Sequence, residues 1–107
     1  MRPQTQATEK LPLFAVMRTR GPAWNHAQPI EGQTSWEAHK LFMNDLEDSG
    51  FVILGGPLEG SSDVLIIVRA GGAEEIASKL AADPWSVSDH LRTTRIAPWR
   101  LRLGSLP

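Results

Sequence analysis

A chain of 107 residues with 11 Lys and Arg against 12 Asp and Glu, no cysteine and 41% apolar residues has room for a single domain. Its net charge of -1 lays down no broad electrostatic footprint for nucleic acid or an anionic membrane. Without cysteine there is no disulfide, no thiol nucleophile and no sulfur-ligated metal, and no apolar run approaches the ~20 residues of a membrane span. The expectation is a cytoplasmic domain without nucleic-acid or membrane partners, burying about 60–70% of its unfolded surface.

Residues 1–10 lack the apolar core of a signal peptide and read as a flexible N-terminal leader, leaving 11–104 as the domain. An apolar run over 13–17 predicts the first strand. A long polar loop from Thr19 to Thr34 follows, punctuated by Gly21-Pro22 and holding Trp24 and His26; loops of this length are functional or disordered. Thr34, with Glu37 three residues on, has capping-box spacing and opens a helix over 35–48 that Gly50 closes. One side of that helix gathers Trp36, Ala38, His39, Phe42, Met43 and Leu46, the other side is charged, and Leu41 falls among the charges. Residues 51–54 predict the second strand, stopped at Gly55-Gly56-Pro57, where close backbone approach is expected. Residues 64–68 predict the third. After Gly71-Gly72 comes a second helix with Ala73, Ile76, Ala77 and Leu80 on its apolar face, stopped by Pro84. Residues 96–103 predict the last strand, and Pro98, which has no amide to donate, places it at a sheet edge.

The order β-α-β-β-α-β predicts an α+β fold of ferredoxin-like type. Strands covered by helices on one face and water on the other should alternate apolar and polar residues, yet 13–17, 51–54 and 64–68 are apolar on both. Two helices cover one face of four strands. The other face needs a lid, and a second copy of the same sheet is the simplest, which predicts a homodimer; the leader or the long loop is the alternative cover.

His39 sits where a leucine is expected, on an apolar helix face. A buried imidazole needs a partner or forfeits roughly 1–3 kcal/mol, and the Asp83-Pro84-Trp85 corner offers a carboxylate. His39 reads either as a proton shuttle, since an unperturbed imidazole titrates near neutrality, or as a core histidine satisfied by a carbonyl. Asp83 reads either as the group that orients His39 or as a turn cap before Pro84. Trp36 and Trp85 are placed to line a pocket and Trp99 to pack, while Trp24 is a flap or an anchor to a partner subunit. Arg18 and Arg20 leave the first strand either to hold a substrate carboxylate or as a solvated strand end. Arg92, Arg95, Arg100 and Arg102 form a weak basic patch at a solvated edge or dimer rim. Gly55-Gly56-Pro57 lacks the spacing of a phosphate loop, His26, His39 and His90 lack metal-ligand spacing, and Ser61 and Ser62 lack a nucleophile elbow.

Taken in order, Gly21-Pro22-Ala23-Trp24, Gln33, Trp36-Glu37-Ala38-His39, Phe42-Met43, Leu46, Gly50-Phe51-Val52, Gly55-Gly56-Pro57-Leu58, Ala82-Asp83-Pro84-Trp85 and Ile96-Ala97-Pro98-Trp99 are similar to the YCII-related (YciI-like) family. The resemblance spans Leu13 to Leu103. It implies a dimeric α+β barrel and an active site built around a His and an Asp, at positions matched here by His39 and Asp83. For some relatives it implies lyase-like removal of hydrogen halide from an aromatic ring. The expectation is a small enzyme of isomerase or lyase type that needs no cofactor and takes a small-molecule ligand. His39 would act as acid or base and Asp83 as its orienter. Trp36, Met43, Gly56, Pro57 and Trp85 would shape the pocket, with Arg18 on the substrate. The alternatives are a non-catalytic ligand-binding or accessory dimer with a structural His39–Asp83 pair, and a bare dimerisation module.

Overall fold

One antiparallel sheet in the order β2-β3-β1-β4 organises the chain, with β1 at Leu13–Arg20, β2 at Val52–Pro57, β3 at Asp63–Arg69 and β4 at Leu91–Trp99. The computed structural model describes residues 11–106, so the expected leader over 1–10 lies outside the described residues. Helix α1 is Trp36–Asp48, α2 is Ala73–Ala81 and a short α3 is Pro84–Val87, with a 3₁₀ turn at Ile30–Gly32. This is the expected ferredoxin-like βαββαβ arrangement.

Successive side chains leave a strand on opposite faces. Phe14 and Val16 of β1 therefore point with Val52, Ile66 and Val68 into the main core, where Ile76 and Leu80 of α2 and the flanks of Met43 and Leu46 of α1 meet them. The alternate residues Leu13, Ala15, Met17, Leu65 and Ile67 share the far face, and Leu13 and Ile67 are buried there. Both faces are apolar, as the runs require. Trp99, opposite Leu13, stands on that far face and is 39% exposed, so it does not pack into the core as expected.

Several boundaries move for identifiable reasons. β1 extends to Arg20, and β4 runs over 91–99 rather than 96–103, because Leu13 pairs with Trp99 and leaves residues 100–103 without a partner. The polar stretch Arg92 to Arg95 belongs to β4 although it is exposed, since an edge strand has little to bury. Pro98 does lie in that edge strand. The capping box does not form: Ser35 is the N-cap, in a left-handed conformation at φ 66°, with no side-chain cap bond. The Thr34 carbonyl is instead taken by the Trp85 indole at 2.7 Å. Ala38, Ala73 and Ala77 are exposed, so each helix buries a narrower stripe than its apolar residues suggest. Pro84 does not simply stop a helix; it occupies the first turn of α3, where its missing N–H costs nothing.

The C-terminus of α1 is fixed by backbone chemistry. Gly50 at φ 85° lets Phe51 N–H reach Leu46 O and Gly50 N–H reach Glu47 O, a Schellman motif that sends the chain straight into β2. Beyond it, β2 carries an irregularity between Val52 and Leu54 and lies against β3 so closely that a Cβ on Gly55 would stand 2.5 Å from Ile66 Cγ2 and 2.8 Å from Leu65 O. Close approach explains Gly55. It does not explain Gly56, around which nothing lies within 4 Å of a built Cβ. Gly55→Ala is therefore expected to lower stability by about 1–3 kcal/mol. Gly56→Ala should change it by less than about 0.5 kcal/mol, both read from urea unfolding; equal effects at the two positions would contradict the assignment.

Candidate active site

Three elements deliver one polar cluster into an otherwise apolar interior. The alternation of β1 puts Arg18 on the core face after Phe14 and Val16, and it is 1% exposed. Helix α1 presents His39 from its buried stripe. Asp83 stands at the N-cap of α3, where its Oδ1 accepts from the Trp85 amide at 2.9 Å. The three side chains meet: His39 Nδ1 lies 2.9 Å and 3.0 Å from the two carboxylate oxygens, and Arg18 Nη1 donates to Asp83 Oδ2 at 2.7 Å. Arg18 Nη2 donates to Ser86 Oγ, which donates in turn to Leu80 O at 2.6 Å.

The electrostatics follow from this set of donors. Burial pushes the Asp83 carboxyl up, but the hydrogen bonds from His39, Arg18 and the Trp85 amide outweigh it and hold the carboxyl below its ordinary 3.8. An ionised carboxylate only accepts, so the proton on a neutral His39 belongs on Nδ1 and the Nε2 lone pair is free. Among the described residues Nε2 has no hydrogen-bond partner, and it is not sealed from solvent. The Trp85 ring lies flat on the imidazole, with centroids 3.9 Å apart and planes 9° apart, which fixes its orientation. Trp85 is held in turn by Trp24 edge-on at 5.3 Å and by Trp36 at 5.9 Å.

His39 opens onto a cleft of about 620 Å³ between α1 and the sheet, a volume suited to a small organic molecule. Its walls are Trp24, Trp36 and Trp85 on one side and Val52, Leu54 and Ile66 on the other. Among the described residues no three His, Asp or Glu side chains converge so as to hold a metal ion.

Of the residues singled out from sequence, Trp36, Met43, Gly56, Pro57, Trp85, His39 and Arg18 all line this cleft, with Asp83 behind His39. Arg18 is not a solvated strand end; it is the buried counterion of Asp83. Among the described residues its Nε lacks a partner, and its position is set by Asp83 and Ser86. Trp24 is no flap: it is buried in a second core cluster with Trp85 and Leu91. The loop before α1 is ordered by Gln33, whose side-chain amide accepts from Asn25 N and donates to Asn25 O and Gln28 O. Of the C-terminal arginines, Arg92 pairs with its neighbour Asp89 at an exposed edge. Sequence reasoning missed Ser86 and weighed His90 only as a metal ligand. Ser86 follows Asp83 by three residues, a spacing that places both on one side of the α3 turn. The buried His90 lies against Trp85, with its Nδ1 at 2.7 Å from Ser88 Oγ.

Comparison of the sequence with family models and with curated proteins finds no match. Comparison of the structure does. A solved structure of 5-chloro-2-hydroxyhydroquinone dehydrochlorinase (TftG) from Burkholderia phenoliruptrix AC1100, in complex with 2,5-dihydroxybenzoquinone, superposes with a TM-score of 0.59 at 19% identity. The match covers 86% of this chain and 95% of that one. The two share a fold, that of the dimeric α+β barrel proteins.

Removing the carboxylate charge leaves Arg18 buried without its counterion. Asp83→Asn is expected to lower stability by about 3–5 kcal/mol at neutral pH. Because the native carboxyl titrates below its unfolded value, its contribution is complete above about pH 3.8 and fades as pH falls through the lowered native value. The gap between native and variant in urea unfolding should therefore narrow in acid; a gap that widens would reverse the sign of the shift.

Proposed function

We propose that the chain is a small acid/base enzyme of lyase or isomerase type, acting without a cofactor on a hydroxylated aromatic or related organic acid. The observation that carries this reading is the pairing of His39 Nδ1 with a buried, ionised Asp83 while Nε2 opens onto an aromatic-walled cleft. A base so oriented needs no further group to take a proton from an acidic hydroxyl.

A dehydrochlorinase of the same fold suggests the chemistry. On a chlorinated para-dihydroxy ring, His39 would take the proton of one hydroxyl and return it to the chlorine-bearing carbon. That step leaves a ketone. His39 would then take the second hydroxyl proton, and the released electron pair would pass through the ring and expel chloride with the C–Cl bonding pair. The products are a quinone, chloride and a proton. Asp83 would stabilise the imidazolium in both steps, with Arg18 keeping Asp83 ionised, and the indole of Trp85 would hold the ring of His39 in plane.

The apolar far face of the sheet supports a homodimer closed by sheet-to-sheet packing, and the absence of cysteine suits a cytoplasmic setting. Leu65→Glu places a charge on that face and is expected to convert a species of twice the chain mass into a folded monomer in sedimentation. A native chain that sediments as a monomer would contradict the dimer.

A non-catalytic ligand-binding role draws on one specific observation, that Asp83 also caps α3 and so has a structural task. Chloride release from chlorinated hydroquinones distinguishes the two. His39→Gln is expected to lower the rate about 10²–10⁴-fold, and Asp83→Asn, which leaves the base but not its orienting partner, should lower it by less. No release by the native chain from any member of the panel, with ligand still bound, would favour the binding role.

A further inference from the structure

Strand β1 sends two arginines toward the same cleft, because Arg18 and Arg20 are two residues apart and leave the strand on one face. Besides His39, three cationic side chains line the cleft: Arg18, Arg20 and Lys40. Two of them are committed. Arg18 is bonded to Asp83 at 2.7 Å, and Lys40 Nζ lies 3.3 Å from Glu37 Oε1. Arg20 has no carboxylate partner among the described residues, although Glu47 and Asp63 also line the cleft. Its guanidinium stacks on the Trp24 ring with 4.6 Å from Cζ to the centroid. Trp24 is itself buried and packed edge-on against Trp85, so the platform beneath Arg20 is rigid.

A guanidinium that is half-buried, held by a ring face and left without a counterion is prepared to take an anion, since its planar fork of N–H donors matches a carboxylate or phenolate oxygen pair. We propose that Arg20 is the anion-holding residue of this cleft, and that its ligand is a planar aromatic anion. The ring would lie among Trp24, Trp36 and Met43, and the charge would sit on Arg20 and not on Arg18. The inference rests on the cleft being the ligand site and fixes the charge of what enters it. It also makes Arg20 a specificity residue, since a neutral ring of the same shape would leave the guanidinium unpaired and partly desolvated.

The test is a binding titration followed by tryptophan fluorescence, with 4-hydroxybenzoate and its uncharged counterpart 4-hydroxybenzamide as probes. The native chain is expected to bind the acid more tightly than the amide. Arg20→Gln, shown to be folded by its near-ultraviolet circular dichroism, should weaken the acid about 10- to 100-fold and leave the amide bound no more weakly than before. Arg20→Lys should recover part of the loss, because it restores the charge but not the fork, and added salt should weaken only the acid. The proposal is overturned by an equal effect of Arg20→Gln on both probes, by no effect on either, or by a native chain that does not bind the acid. Because binding and not turnover is read, an Arg20-dependent preference for the acid would stand even if His39 proved to catalyse nothing. Conversely, chloride release without such a preference would sink only this inference.

Discussion

One carboxylate, that of Asp83, ties the structure together. It is fully buried and takes hydrogen bonds from the imidazole of His39, the guanidinium of Arg18 and the amide of Trp85. Those donors come from α1, β1 and the first turn of α3, so a single ion fixes how three elements separated by dozens of residues sit against one another. Replacing such a buried pair with apolar groups often costs nothing, whereas losing one partner is expensive. The cluster is therefore weak as an explanation of stability. As a device for holding an imidazole in one orientation it makes sense, because the carboxylate's own position is over-determined.

The aromatic layer completes what the carboxylate begins. Trp85 bonds through its amide to Asp83 and through its indole N–H to the Thr34 carbonyl, and its ring covers His39. The same residue thus joins the loop before α1 to the corner after α2. Trp24 and Trp36 brace it from two sides, and Gln33 holds the loop that carries Trp24. The result is a rigid wall along one side of the cleft. The opposite wall is the sheet, brought close at Gly55 by the absence of a side chain. Rigid, largely apolar walls with charged side chains at fixed points are what a site for one modest organic molecule requires.

Much of this was legible from the residues. The doubly apolar strands, the break at Gly50 and the misfit of His39 on an apolar helix face were enough to place the elements and to nominate Asp83 as its partner. What misled was local chemistry that tertiary contacts override. Thr34 and Glu37 spell a capping box, but the Thr34 carbonyl is committed to Trp85 and the chain enters α1 through Ser35 instead. Residues 91–95 look like loop because an edge strand in water need not alternate, and only pairing with an extended β1 reveals them. Arg18 reads from sequence as a substrate-holding group or a solvated strand end, and not as a core residue, because arginine is rarely buried. The alternation Phe14, Val16, Arg18 pointed the other way, since a residue two beyond a core valine shares its face. Nothing in the sequence could separate the duties of Arg18 and Arg20; that division depends on where Asp83 and Trp24 fall in space.

The claim beneath the rest is that Asp83 dictates the protonation of His39, keeping the proton on Nδ1 and the lone pair of Nε2 toward the cleft. Long-range nitrogen–proton NMR of the histidine rings, recorded where the imidazole is neutral, reads this directly. The structure predicts a single Nδ1–H tautomer for His39 that gives way to a mixture in Asp83→Asn. A native His39 protonated on Nε2, or one that averages both tautomers, would contradict it.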